Sequence, residues 1–244
     1  LTYINAVETA DGQALETAVK NAINTFVVGC KADGIWTAIK ASCILAGART
    51  LNGALVPLTG GAPTNNNFVS GDYDRETGLV GNGSTKYLNS NRNNNADPQN
   101  SKHLAVYAAV GAGTNNALIG AGVFVDSGNS YILQGSTQAA KVNSGASSAF
   151  SGGTNSKWSS GFIGISRSNS SNFQYRNNSV NATETNASVS VFNGTTWVFA
   201  RGDSPPSSVY DGRISFYSIG ESLDLAALDT RVSNLMTAIG AAIP

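Results

Sequence analysis

Short apolar or alternating runs divided by turn residues recur along most of this chain, and they restrict its fold more than any other feature. Residues 103–110 (HLAVYAAV), 117–125, 131–133, 161–166, 172–176 and 188–192 each fit one strand. Residues 78–89 and 188–200 read as hairpins turned at Asn82-Gly83 and Asn193-Gly194. In residues 214–219, Ile214, Phe216 and Ser218 alternate with Ser215, Tyr217 and Ile219, the period of a strand with a buried face. About ten strands at short, even spacing predict a mainly β fold: a two-sheet antiparallel jelly-roll sandwich.

Helical patterning is confined to the ends. Gly220 stops the last strand, and Ser222 is then a natural N-cap with Asp224 in the first turn. Leu225, Leu228, Val232, Leu235, Met236 and Ile239 follow at helical spacing. Near the N-terminus, Asp11 caps a run carrying Leu15, Val19, Ile23 and Phe26 that stops at Gly29. A second run, with Trp36, Ile39, Cys43 and Ile44, opens at Asp33-Gly34 and ends near Gly47. The expected organisation is an N-terminal helical hairpin over 1–47 for attachment or packing, a sandwich over 48–220, and a C-terminal amphipathic helix over 221–244. That helix packs on the sandwich or on a neighbouring subunit. Pro57 makes 51–58 an edge strand or extended arm, because proline cannot donate to a ladder. Trp36 and Trp197 are assigned to the core.

Only 12% of residues are charged and the formal net charge is +0, so no basic field exists for a phosphate backbone, and nucleic acid is excluded as a partner. No run is long and apolar enough to insert in a membrane, and no secretory signal is visible. Asn, Ser, Thr and Gly carry the polarity, so surface recognition must rest on hydrogen bonding. The chain begins at Leu1 and its one Met is Met236, which fits a piece of a larger assembly protein. Cys30 and Cys43, placed far apart by the expected helix, are free buried thiols that lack the ligand-spaced histidines of a zinc set.

Catalysis finds little to work with. His103 is the lone histidine and opens a strand, no nucleophile elbow is present, and the paired carboxylates of a sandwich glucanase are missing. Asp72, Asp74 and Glu76 alternate between Gly71 and Gly78, which fits a solvated turn; alternatively Asp72 and Asp74 are calcium ligands. No other cofactor is expected. A sugar site needs an aromatic face and planar amides, and Trp158, Tyr175, Arg176, Asn177 and Asn178 supply those types. Against that, Tyr175 facing the sandwich and Trp158 covering an edge would serve packing alone. Arg201-Gly202-Asp203 is a chance tripeptide, and the five N-x-Ser/Thr sequons match what this composition produces at random.

Residues 77–88 (TGLVGNGSTKYL), 162–168 (FIGISRS) and 214–224 resemble the concanavalin A-like, laminin-G-type sandwich domains of tailed-bacteriophage structural proteins, notably marine and cyanobacterial ones. Residues 26–47 resemble the segment preceding that domain. The resemblance implies a non-catalytic protein of the virion surface, in a fibre or in a capsid or tail decoration. Its partners would be other virion proteins and further copies of itself, with a possible ligand in cell-surface glycan. A decoration module with no ligand is the first alternative, and a polysaccharide-degrading enzyme the second.

Overall fold

A computed structural model describes residues 2–110, 116–122, 127–134, 139–145, 148–149, 161–202 and 206–243. Two helices come first, α1 (Thr2–Asp11) and α2 (Thr17–Ala32), followed by strand β1 (Ile39–Ile44) and a single helical turn, α3 (Leu51–Ala54). The strands then run β2 (Thr64–Asn66), β3 (Tyr73–Asp74), β4 (Gly78–Val80), β5 (Tyr87–Asn93), β6 (Lys102–Val110), β7 (Asn116–Ala121), β8 (Ser130–Gln134), β9 (Ala139–Val142) and β10 (Ser148–Ala149). After β11 (Gly161–Arg167), β12 (Asn172–Asn177), β13 (Val180–Thr185), β14 (Thr195–Val198), β15 (Arg201–Gly202) and β16 (Arg213–Gly220), the chain ends in α4 (Leu225–Ala242).

The strands form two sheets, a mainly β sandwich as expected. Sheet A has the order β13-β12-β11-β6-β16-β4-β3, with β1 also on β16; sheet B has the order β10-β9-β8-β7-β14-β5-β2, with β15 on β7. The pairings are antiparallel except the short parallel contact of β15 with β7. Between the sheets, Leu104, Val106, Ile163, Ile165, Tyr217 and Ile219 of sheet A meet Leu88, Leu118, Ile132, Val142 and Val198 of sheet B. The other face of sheet A is equally apolar. There Ala105, Phe162, Phe216 and Ile44 pack under Val19, Phe26, Leu228, Val232, Leu235 and Ile239 of α2 and α4, with Phe26 and Phe216 edge to face at 5.7 Å. Sheet A is thus a buried middle layer, and β16 has a buried residue at every position after Arg213.

Several expectations need correction. Residues 33–47 do not form a second helix: Trp36–Ala38 is one 3₁₀ turn, and β1 pairs antiparallel with β16 from Ile44↔Phe216 to Ala41↔Ile219 and, past a register shift, at Ile39↔Gly220. The N-terminal part is therefore not a helical hairpin of its own, because the segment up to residue 47 contributes a strand to sheet A. Trp36 is half-buried, beneath the Lys31 ammonium at 5.6 Å. Asp11 does not cap α2 but accepts from the Arg49 and Thr50 amides and the Thr50 hydroxyl (2.7, 2.8 and 2.7 Å), while Thr50 caps α3 where a strand or arm was expected. Helix α2 continues past Gly29 to Ala32. The cap of α4 is Asp224, which accepts from Ala226 and Ala227, whereas the Ser222 hydroxyl lies 3.1 Å from that of Ser101.

Neither expected hairpin forms. Asn82 Oδ1 accepts from the amides of Ser84, Thr85 and Lys86, but the turn carries the chain from β4 in sheet A to β5 in sheet B. Likewise β14 pairs with β5 and β7, and residues 188–192 are not a strand. Besides β1 and the short strands β2, β3, β10 and β15, two longer strands were not expected from the sequence, β9 and β13. The second is joined to β12 by a two-residue turn in which Asn178 and Ser179 both have positive φ, +43° and +71°. Cys30 and Cys43 are free and buried, and burial pushes both thiols up to about 12.

Candidate binding face

The structure does not bring the expected sugar-binding residues together on an open surface. Tyr175 points between the sheets with Phe173 and is 5% exposed, so it is a core residue and offers no stacking face. Arg176 turns the other way, to α4, where its Nε donates to Asp229 Oδ2 at 2.7 Å and its Nη1 to Asn181 Oδ1 at 2.8 Å. Asn177 and Asn178 are half-buried at the turn into β13. Trp158 lies outside the described residues.

Asp72 and Asp74 are engaged elsewhere as well. Asp72 accepts from the Val69 amide at 2.8 Å and pairs with Lys86; burial raises its carboxyl, but these two donors outweigh that and hold it below the usual carboxylate range. Asp74 Oδ1 accepts from the Thr77 hydroxyl and the Thr77 and Glu76 amides, and the hydroxyl above all lowers its carboxyl. Both carboxylates therefore fix a turn rather than form a pair facing a cation. Among the described residues, no three His, Cys, Asp or Glu side chains are grouped to hold a metal ion.

His103 has a hydroxyl neighbour, with its Nε2 2.7 Å from Ser218 Oγ. Both residues are fully buried, however, and the other ring nitrogen lies 2.5 Å from the Glu221 carbonyl oxygen. Burial chiefly depresses the imidazole to about 4, and with no exposed surface at either residue this pair has no route to a substrate. Arg201, of the RGD tripeptide, is 7% exposed, lies over the Tyr131 ring and bonds to Ser208, which leaves it unavailable to a receptor.

An aromatic platform does exist, on the outer face of sheet B. Leu88 and Val198 point inward, so by strand alternation their neighbours Tyr87 and Trp197 lie on the other face, though Tyr87 also packs against the margin of the inter-sheet core; the two rings stack with centroids 4.4 Å apart and planes 18° from parallel. Both are half-buried, which corrects the assignment of Trp197 to the core. The indole Nε1 donates to Thr195 Oγ1 at 3.1 Å, which fixes the ring on its own strand. Asn89 pairs with Trp197 on one side and Thr64 on the other, and Asn66 pairs with Tyr87, so all of these share the face. Two residues of β14 span four of β5, since Thr195 pairs with Asn93 and Trp197 with Asn89; the excess is taken up at Asn91, with φ +57°. Beyond Trp197 the face dips at Gly120, where a Cβ would lie 2.6 Å from that of Tyr131.

No protein-family model matches the chain, and no curated protein sequence matches it. Among solved structures, the binding domain of botulinum neurotoxin serotype D is similar, with a TM-score of 0.53 and 11% identity over 81% of this chain and 51% of that one. This chain thus spans about half the length of the toxin chain it matches. Domain 4 of an extracellular arabinanase from Geobacillus stearothermophilus, solved with arabinotriose, has a TM-score of 0.44 and 15% identity over 71% of this chain and 82% of that one. Tailspike protein 2 of an Escherichia coli O157:H7 bacteriophage has a TM-score of 0.42 and 11% identity over 67% and 25%. At such identities the likeness is one of fold, the two-sheet sandwich.

Proposed function

We propose that this protein is a non-catalytic surface module of a bacteriophage virion that binds host-surface glycan through the Tyr87–Trp197 face. The observation that carries the proposal is a half-buried aromatic stack bordered by amide side chains. One face of a sugar ring is apolar and its rim is hydroxylated, so an aromatic plane beside donors and acceptors complements it. Sequence phrases in residues 77–88, 162–168 and 214–224 support the virion context by their resemblance to phage structural proteins. Attachment to other virion proteins, or to further copies of this chain, uses the helical side, where α2 and α4 border an apolar groove lined by Ala18, Ala22, Ala238 and Ala241.

Exchange of water hydrogen bonds for protein ones gains only about 0.5 to 1.5 kcal/mol each, so a single shallow site is weak and multivalent display supplies the avidity. A glycan array probed with the protein clustered on beads should therefore light up where the monomer does not. Beads carrying Trp197→Ala should lose the signal while the variant keeps the circular dichroism of the native fold. A blank array, or a signal indifferent to Trp197→Ala, overturns the proposal.

A further inference from the structure

We infer that the ligand of this face is an uncharged, linear oligosaccharide laid along β5, an inference that rests on the glycan-binding reading above. The first ground is charge. Tyr87, Trp197, Asn66, Asn89, Asn93 and Asn193 are all neutral, and the nearby cations are committed: Lys86 to Asp72, Arg92 to Asp97 and Lys40 to Glu221. On the far side of Gly120, Arg201 is buried against Tyr131. A carboxylate or sulfate that gives up its water needs a cation or several strong donors in exchange, and this face holds no uncommitted cation among the described residues.

The second ground is the row of amides. Asn89 Oδ1 accepts from the Asn91 amide, Asn66 Nδ2 donates to the Thr64 carbonyl, and Asn93 Nδ2 donates to Asn193 Oδ1. Each amide is thus fixed through one half. The other half, Asn89 Nδ2, Asn66 Oδ1, Asn93 Oδ1 or Asn193 Nδ2, has no protein partner among the described residues and remains for a ligand. Fixed amides that offer both donors and acceptors match hydroxyls, which are both at once, and little side-chain entropy is left to lose on binding.

The third ground is length. From Tyr87 to Asn93 the strand advances only about 13 Å at about 3.3 Å per regular residue, because the bulge packs Asn89 to Asn93 into the span from Trp197 to Thr195, which leaves room for two or three sugar rings in a line. Past Asn91 and Asn93 the row opens into a polar cleft of about 370 Å³ bordered by Lys40, Gly60 and Gly61, so the path continues beyond the strand.

The test is titration calorimetry of the whole chain with two sets of hexasaccharides and the matching monosaccharides. Maltohexaose, cellohexaose and mannohexaose form the neutral set; hyaluronan and oligogalacturonate hexamers form the acidic set. The inference expects a neutral hexamer to bind about tenfold or more tightly than its monosaccharide, with affinity unchanged within about twofold between low and high salt. Trp197→Ala and Asn89→Ala should each weaken binding, the first by about tenfold, while Trp197→Phe retains most of it. Binding of the acidic set alone, abolished by Trp197→Ala, would refute the uncharged ligand and leave the face intact as a glycan site. Neutral binding that ignores both alanine variants, in proteins whose circular dichroism is unchanged, removes the face itself. Absence of binding by either set at millimolar concentration removes both.

Discussion

Mild acid should weaken this fold through one side chain. His103 is fully buried, its Nδ1 placed to donate to the Glu221 carbonyl and its Nε2 to accept from the Ser218 hydroxyl, an arrangement that holds the neutral ring. Burial above all lowers its pKa from 6.5 to about 4, against the hydrogen bond to the Glu221 carbonyl, which raises it; Lys102 and Arg92 push down and Asp97 pushes up. Because the folded value lies below the unfolded one, the unfolded chain takes up the proton first. Stability from this group is fully present above pH 6.5, falls as the pH drops toward 4, and changes no further below that. The full span is worth about 3 kcal/mol, and about 2 kcal/mol of it is lost between pH 7 and pH 4.5. Asp97 is also held low, by Arg92 and Lys102 against its own burial, and so adds its loss below this window. Urea denaturation of the native chain and of His103→Gln at the two pH values isolates the histidine as the difference between the two losses. Equal losses in both proteins, or a native loss under about 1 kcal/mol, would refute the reasoning.

The Arg176–Asp229 pair is the buried polar tie between β12 and α4, so Arg176→Met alone should cost about 3 kcal/mol in denaturant unfolding by stranding the carboxylate. The double variant Arg176→Met/Asp229→Leu should recover much of that; an additive loss would show that the pair does not act as a unit. Deletion of residues 1–47 removes β1 and α2 and bares Phe162 and Phe216, at about 1.5 to 3 kcal/mol for each large side chain exposed. The truncated chain should therefore fail to give a cooperative melt, and a stable truncated sandwich would show the N-terminal segment to be a detachable attachment device after all.

Legibility in the sequence followed how each segment is buried. Residues 103–110, 161–166 and 214–219 and the stripe of α4 announced themselves because long apolar or cleanly periodic runs admit one reading. Strand β1 did not, although Ile39, Ala41 and Cys43 alternate with Lys40 and Ser42: Trp36, Ile39 and Cys43 also fit helical spacing, and Ile44 and Ala46 extend the apolar run onto the face that packs on the helices. The core position of Tyr175 was readable from Phe173 two residues earlier with Gln174 exposed between them. For the platform, Tyr87, Asn89, Asn91 and Asn93 do alternate with Leu88 and Ser90 along β5. Their meeting with Trp197 is a pairing across distant parts of the chain that local pattern does not encode.

The place of β16 in sheet A has a consequence for how the molecule is made. It lies between β6 on one side and β1 and β4 on the other, yet it is the last strand in the chain. While the polypeptide emerges from the ribosome, β1, β4 and β6 must wait, with their hydrogen-bonding edges unfilled, until residue 220 has been joined. Closure then draws together segments far apart in sequence, a topology that slows folding and prolongs the exposure of unpaired strands. Nascent chains of this protein should for that reason depend on holding chaperones late in synthesis, and stalling near residue 212 should leave a chain prone to aggregate.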